Sequence, residues 1–203
     1  MATAPQQARS IASEQRMLDA AIQLLGGGDS RQVTVENVTK LAGTKFSSFY
    51  ARFGSIEGLF DAIQKRHRNS FNETAISKGF ERALQQTDLR SALHQMFKPT
   101  FEFARREDKG IFYILMYPFV DQKAVNEQRK VMVDLLHQIL LQHRGEIAHK
   151  DLRLASENVF RMAYAMWVHV ALQEPSAFFF RKTSLISVVK TTTHMAYGYL
   201  TTE

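Results

Sequence analysis

The sequence predicts an all-α fold in two parts, an N-terminal three-helix part spanning residues 1–66 and a helical part spanning residues 67–203. Three observations predict it. Residues 34–53 fit two short helices that meet at Gly43. Apolar residues recur three or four positions apart along the remaining chain. No linker rich in Pro or Ser separates the two parts, so their boundary is expected within a helix.

The first helix is predicted to begin near Ser10 or Ser13, after a polar arm, and to end at the three glycines of residues 26–28. Glycine is a poor helix former, so a run of three favours a helix end. The run lacks the spacing of a phosphate-binding loop. We therefore interpret it as a helix terminator.

The next two helices form a helix-turn-helix. Thr34 is expected to cap the first, because its hydroxyl can accept from an N–H of the first turn. Gly43 tolerates the backbone angles of a sharp turn. The second helix has Phe49 and Phe53 one turn apart, with polar side chains around them. A short helix with this pattern suits the reading of a DNA major groove.

Residues 10–66 resemble the DNA-binding domain of tetracycline-repressor-type (TetR family) regulators. The resemblance rests on the helix of residues 17–25, the lead-in of residues 33–35, and several further positions. These are Ala42, Gly43, Phe49, Tyr50, Phe53, Ser55, Glu57, Leu59 and Phe60. The sequence departs from the family pattern at Lys45, Phe46, Gly54 and Ile56.

The resemblance implies a phosphate contact for Tyr50, and Lys45 and Arg52 are further candidates for the phosphate side. Ser47 and Ser48 can exchange hydrogen bonds with base edges, which carry the sequence information. Phe46 either packs on a thymine methyl group or folds back onto Phe49. Thr44 is expected to cap the second helix in place of Lys45. The predicted DNA-binding residues are Thr34, Thr44, Lys45, Phe46, Ser47, Ser48, Tyr50 and Arg52.

Further helices follow. Ser55 is expected to cap a fourth helix, with Glu57 near its positive end. A helix from Asp88 contains Pro99, which is expected to kink it. Residues 111–117 form an apolar run that fits either a buried helix or a buried strand. The last three helices are predicted from Asp121 to residues 143–145, from Asp151 to Gln173, and over residues 183–200, with a docked loop at residues 177–180.

The second part is rich in aromatic residues and Met, which form either core or the wall of the inducer cavity that the resemblance implies. Our candidates for that wall are Phe97, Phe101, Tyr113, Met116, Tyr117, Tyr164 and Trp167. Because residues 111–119 and 159–172 carry few charges, we expect an apolar or aromatic inducer. Dimerisation is expected through the last two helices, at Val189, Thr192 and Ala196, where small and β-branched side chains let a partner helix approach.

Composition limits the kinds of site that the chain is expected to contain. The net charge of +6 permits nucleic-acid binding, but the eight basic and six acidic residues of positions 1–66 carry only +2 of it. The chain has no Cys, and none of its seven His are three or four positions apart. We therefore expect no disulfide, metal site, cofactor or catalytic site. No signal peptide or membrane span is expected, and the cytoplasm is the expected location.

The predicted function is a ligand-responsive transcriptional repressor that binds a near-palindromic double-stranded DNA operator as a homodimer. A small-molecule inducer would release it. The alternative is a helical small-molecule-binding or enzymatic domain that carries a vestigial DNA module. A DNA binder without a ligand is a third possibility.

Overall fold

The structure is a computed structural model that describes residues 4–26, 30–106, 122–172 and 184–202. Those residues form nine α-helices and no strand, which confirms the predicted all-α class. The helices are α1 (Ala4–Gly26), α2 (Val35–Ala42), α3 (Phe46–Phe53), α4 (Ile56–Phe71), α5 (Ser77–Leu84), α6 (Leu89–Arg106), α7 (Gln122–Gln142), α8 (Leu152–Leu172) and α9 (Leu185–Thr201). Two 3₁₀ turns, Ser30–Gln32 and Arg144–Glu146, and a π-helical segment, Asn72–Ile76, lie between them.

The described residues divide into two compact units, one ending at His67 and the other beginning at Arg68. The division falls inside α4, which runs without a break from Ile56 to Phe71. No described helix is long and apolar enough to cross a membrane.

The first unit packs α1 to α4 around one apolar core. Met17, Leu18, Val38, Phe49 and Leu59 are fully or almost fully buried there. The α1 helix starts at Ala4, earlier than the predicted start near Ser10. The sequence is compatible with these extra turns. Ala and Gln favour helices, and a backbone N–H in the first turn has no partner within the helix, so a Pro there loses no hydrogen bond.

The second unit is organised around α6, which packs against α5, α7, α8 and α9. Leu93, Met96 and Phe101 of α6 are buried at its centre. The helix continues through Pro99. A side chain at Gly79 of α5 would lie 2.9 Å from Pro99 Cγ and 3.3 Å from the Gln95 carbonyl oxygen, so α5 approaches α6 closely at this point.

Side-chain caps fix the starts of the helices in the second unit. Asp88 accepts from Ser91 N at 2.8 Å, and Asp151 accepts from Leu154 N at 3.0 Å. Both confirm the predicted helix starts. Glu146 also accepts from Leu89 N at 2.8 Å, so a residue far along the chain helps to cap α6.

The last helix forms despite its β-branched residues. The hydroxyls of Thr192 and Thr193 donate to the carbonyls of Val188 and Val189 at 2.9 Å and 2.8 Å. Both hydroxyls are therefore paired within the helix. Burying this face of α9 does not incur the cost of an unpaired hydroxyl at either position. The apolar run of residues 111–117 and the loop of residues 177–180 lie outside the described residues.

Candidate nucleic-acid interface and ligand region

The helix-turn-helix begins with the predicted cap. The Thr34 hydroxyl accepts from Asn37 N at 3.1 Å, and the first turn of α2 forms behind it. Gly43 ends α2 with a φ of 61°, in the left-handed region where glycine has no steric penalty. Arg16 of α1 donates to the Ala42 carbonyl at 3.0 Å, a contact that the sequence pattern did not reveal.

The start of α3 differs from the prediction. Lys45 occupies the cap position and its side chain makes no capping bond. Thr44 does not replace it, because its hydroxyl oxygen is buried and has no hydrogen-bond partner among the described residues. The first turn of α3 therefore has no side-chain cap from Lys45 or Thr44.

The outward face of α3 is formed by aromatic and small residues. Phe46 is 52% exposed and Tyr50 is 55% exposed, and the two lie one turn apart. Ser47 and Ala51 beside them are also exposed. Phe49 is fully buried, with its ring 5.6 Å from that of Tyr50. Of the two interpretations of Phe46, its exposure favours the outward one.

Arg52 faces another helix. Its guanidinium donates to the Ser48 carbonyl at 3.0 Å and to the Ser10 hydroxyl at 2.9 Å, so it joins α3 to α1. Ser48 is half-buried, whereas Ser47 and Lys45 are exposed. The structure thus brings Lys45, Phe46, Ser47 and Tyr50 to one surface and turns Arg52 away from it.

The junction between α3 and α4 is tightly packed. The Ser55 hydroxyl accepts from Gly58 N at 3.2 Å, which confirms the predicted cap of α4. A hydrogen bond from Ser55 also lowers the pKa of the Glu57 carboxyl below its ordinary value of 4.5. A Cβ atom on Gly58 would lie only 1.9 Å from the Phe53 carbonyl oxygen, so the end of α3 rests directly on α4.

The ligand candidates fall into three groups. Phe97 and Phe101 are 3% and 1% exposed in the core of the second unit. Tyr164 and Trp167 of α8 are half-buried, with stacked rings 6.0 Å apart. The remaining candidates, Tyr113, Met116 and Tyr117, lie outside the described residues.

A groove of about 520 Å³ lies between α7 and α8. Six of its lining residues are basic or aromatic: Arg129, Lys130, Arg153, Arg161, Phe160 and Tyr164. Of the predicted ligand residues that the structure describes, Tyr164 alone lines it. The charge of the groove was not predictable from the apolar segments, since Arg129, Lys130 and Arg153 lie outside them. Arg153 bonds to Asp134, and this bond is the main cause that lowers the pKa of Asp134.

Comparison with known families identifies the N-terminal segment. The family described as bacterial regulatory proteins, tetR family, matches residues 17–63, which run from α1 into α4. Residues 17–63 form a tetR-family regulatory domain. This match confirms the resemblance drawn from the sequence. No curated protein matches the chain.

Solved structures share the fold of this chain. FadR from Bacillus subtilis, in complex with stearoyl-CoA, has a TM-score of 0.69 and 17% identity, covering 92% of this chain and 98% of that one. NalD, a repressor in Pseudomonas aeruginosa, has a TM-score of 0.69 and 15% identity, covering 95% and 98%. AibR, in complex with isovaleryl coenzyme A and operator DNA, has a TM-score of 0.66 and 14% identity, covering 90% and 97%. At such low identity these likenesses show the fold alone.

The predicted dimer residues point inward. Val189, Thr192 and Ala196 of α9 are 3%, 1% and 0% exposed, and they pack inside the second unit. They are therefore already covered within the subunit and are unavailable to a partner, which corrects the residue assignment. The face of α9 that does lie outward carries Ser187, Thr191, His194 and Gly198. The inward and outward faces have similar small residues, so composition could not distinguish them.

The part of the chain that the structure describes holds no group of three or more residues arranged to bind a metal. Ser156 and His137 lie 3.4 Å apart, the spacing of a nucleophile and its base. However, the Ser156 hydroxyl is fully buried and donates to the Leu152 carbonyl at 2.6 Å. A hydroxyl held in this way is a helix-internal contact and does not face a substrate.

Proposed function

We propose that the chain is a homodimeric transcriptional repressor that binds a near-palindromic operator through α3 and releases it when a small molecule binds the second unit. The observation that carries the proposal is the outward face of α3, within the segment that matches the tetR family. Two exposed aromatic residues on a short helix have no core to fill, so a surface that covers them is expected. A DNA groove edge is such a surface.

We assign the α3 side chains to phosphate contacts or base contacts according to their chemistry. The Tyr50 hydroxyl and the Lys45 ammonium, both exposed, are suited to phosphate oxygens. The N-terminus of α3, which has no side-chain cap, adds a partial positive charge that favours a phosphate. Ser47 and Phe46 are the side chains that would meet base edges. Arg52 is proposed to position α3 through Ser10 rather than to contact DNA.

The dimer is proposed to form through α8 and α9, as the sequence suggested, but on the outward face of α9. Ser187, Thr191, His194 and Gly198 recur there at intervals of three or four residues. No atom lies within 4 Å of the place where a Gly198 side chain would be. Small residues along one stripe allow a partner helix to approach closely.

The inducer is proposed to be apolar or aromatic over most of its surface. Phe160, Tyr164 and Trp167 form a stacked row on α8 that could adjoin such a molecule. FadR and AibR were solved with CoA thioesters, whose acyl chains are apolar. Trp167 is the only Trp of the chain, so inducer binding should change its fluorescence.

In vitro selection from random double-stranded DNA tests the proposal. The full chain should enrich a sequence with two-fold symmetry, because each subunit of a dimer presents the same α3. Tyr50→Phe should weaken binding to all sequences alike, while Ser47→Ala should change the enriched bases. Enrichment of no sequence would favour the rival function, a ligand-binding or enzymatic domain with a vestigial DNA module.

A further inference from the structure

The groove between α7 and α8 contains more positive charge than its surroundings neutralise. Arg153 pairs with Asp134 and, at 3.8 Å, with Glu157. Arg161 pairs with Glu157 at 3.3 Å. These two arginines are therefore balanced by two carboxylates. The other two cations of the groove have no such balance.

Arg129 and Lys130 of α7 are the unbalanced pair. Neither forms an ion pair within the part of the chain that the structure describes. The one hydrogen bond of Arg129 there is a long one, 3.4 Å to the amide oxygen of Asn126, and Lys130 acts on Asp134 only at longer range. Two adjacent cations without carboxylate partners, at the edge of a concave surface, attract an anion.

The groove also offers an aromatic surface beside these cations. The rings of Phe160 and Tyr164 are stacked, with centroids 5.9 Å apart and planes 25° apart. The Arg129 guanidinium lies 5.5 Å from the centroid of the Tyr164 ring, in the range of a cation–π contact. A planar ring placed against these residues would lie next to Arg129 and Lys130.

We propose that the α7–α8 groove binds a planar aromatic anion, such as a ring that carries a carboxylate or sulfonate. The ring packs on Phe160 and Tyr164, and the anionic group pairs with Arg129 and Lys130. The volume of about 520 Å³ accommodates a ligand of one to three fused rings. This site shares Phe160 and Tyr164 with the stacked row proposed for the inducer, and it is separate from Phe97 and Phe101, which are buried in the core. The binding claim does not depend on the proposed DNA-binding function.

Calorimetric titration of the full chain with 2-naphthoate and with the neutral 2-naphthalenemethanol tests the site. The two probes share a ring system, so the difference between their affinities reports the contribution of the negative charge. Naphthoate should bind at least about tenfold tighter, since hydrogen bonds to charged groups are stronger than neutral ones. Arg129→Gln combined with Lys130→Gln should remove that difference and leave the binding of the neutral probe unchanged.

Lys123→Gln is the matched control, because Lys123 is exposed on α7 and does not line the groove. It should keep the tenfold preference. Equal binding of both probes, binding of neither, or the same loss in Lys123→Gln would overturn the proposal. A change in molecular mass in the double variant would also overturn it, by showing that the groove holds a second copy of the chain. DNA selection reports on the repressor function separately, so either proposal can fail alone.

Discussion

Substitution of Gly58 by Ala should destabilise the first unit, because the new Cβ atom has no space. It would lie 1.9 Å from the carbonyl oxygen of Phe53 and 3.0 Å from its carbonyl carbon. Carbon and oxygen atoms approach to about 3.3 Å at closest in favourable contacts. The end of α3 and the start of α4 must therefore separate by more than 1 Å, by about 1.4 Å on this comparison.

The obstacle is backbone, so no side-chain rotation can relieve it. Overpacking of this kind costs about 1–3 kcal/mol and sometimes more. Ala has a better helix propensity than Gly, which offsets at most about 1 kcal/mol of this cost. We expect a net loss of about 2 kcal/mol in the free energy of unfolding of the first unit, and a loss of operator binding at temperatures where the second unit remains folded.

Urea unfolding followed by circular dichroism, together with operator binding, measures both effects. Gly145→Ala is the matched control, because no atom lies within 4 Å of its added Cβ. It should leave stability and DNA binding unchanged to within about 0.5 kcal/mol. A Gly58→Ala protein as stable as the parent would refute the packing argument.

Three further predictions concern other sites. If Phe46 contacts a thymine methyl group, replacing that thymine with deoxyuridine should weaken binding about three- to fourfold per half-site, since a buried methyl-sized group contributes about 0.8 kcal/mol. Phe46→Ala should abolish this sensitivity to deoxyuridine. Equal sensitivity in both proteins would contradict the contact. The Ser91 N–H lowers the pKa of Asp88 below its ordinary value of 3.8. The cap therefore stabilises α6 above that value and is lost as pH falls through the lowered pKa, so Asp88→Asn should unfold less steeply in acid; an unchanged acid profile would show that the cap contributes little. Thr191→Arg, at an exposed position of α9, should leave the helical content intact but halve the mass measured by light scattering; a dimer of normal mass would move the interface elsewhere.

The local structure was predictable at four helix starts, but not at α3, where Thr44 was expected to act as the cap and does not. Thr34, Ser55, Asp88 and Asp151 all cap the helices that the sequence assigned to them. A capping side chain acts within three residues, so its signal is contained in a short stretch of sequence. The left-handed turn at Gly43 is of the same kind.

Features that depend on distant residues were not predictable. Arg52 was a candidate for the phosphate side, and the sequence did not indicate that its guanidinium donates to Ser10, 42 positions earlier. Val189, Thr192 and Ala196 looked like a partner surface, but α6 already covers that side of α9. The cations of the α7–α8 groove come from two helices that the sequence does not bring together. In each case the contact depends on residues far apart in the sequence, which a local pattern does not contain.

The salt dependence of operator binding tests whether α3 reads DNA. Fluorescence anisotropy of the full chain on its selected DNA should show affinity falling linearly with salt on a double-logarithmic plot. With about four to eight phosphate contacts per dimer, the slope should be roughly −4 to −7. A scrambled duplex of equal length should bind far more weakly at every salt concentration. A flat salt response, or equal binding to both duplexes, would contradict the account of α3 as a DNA-reading helix.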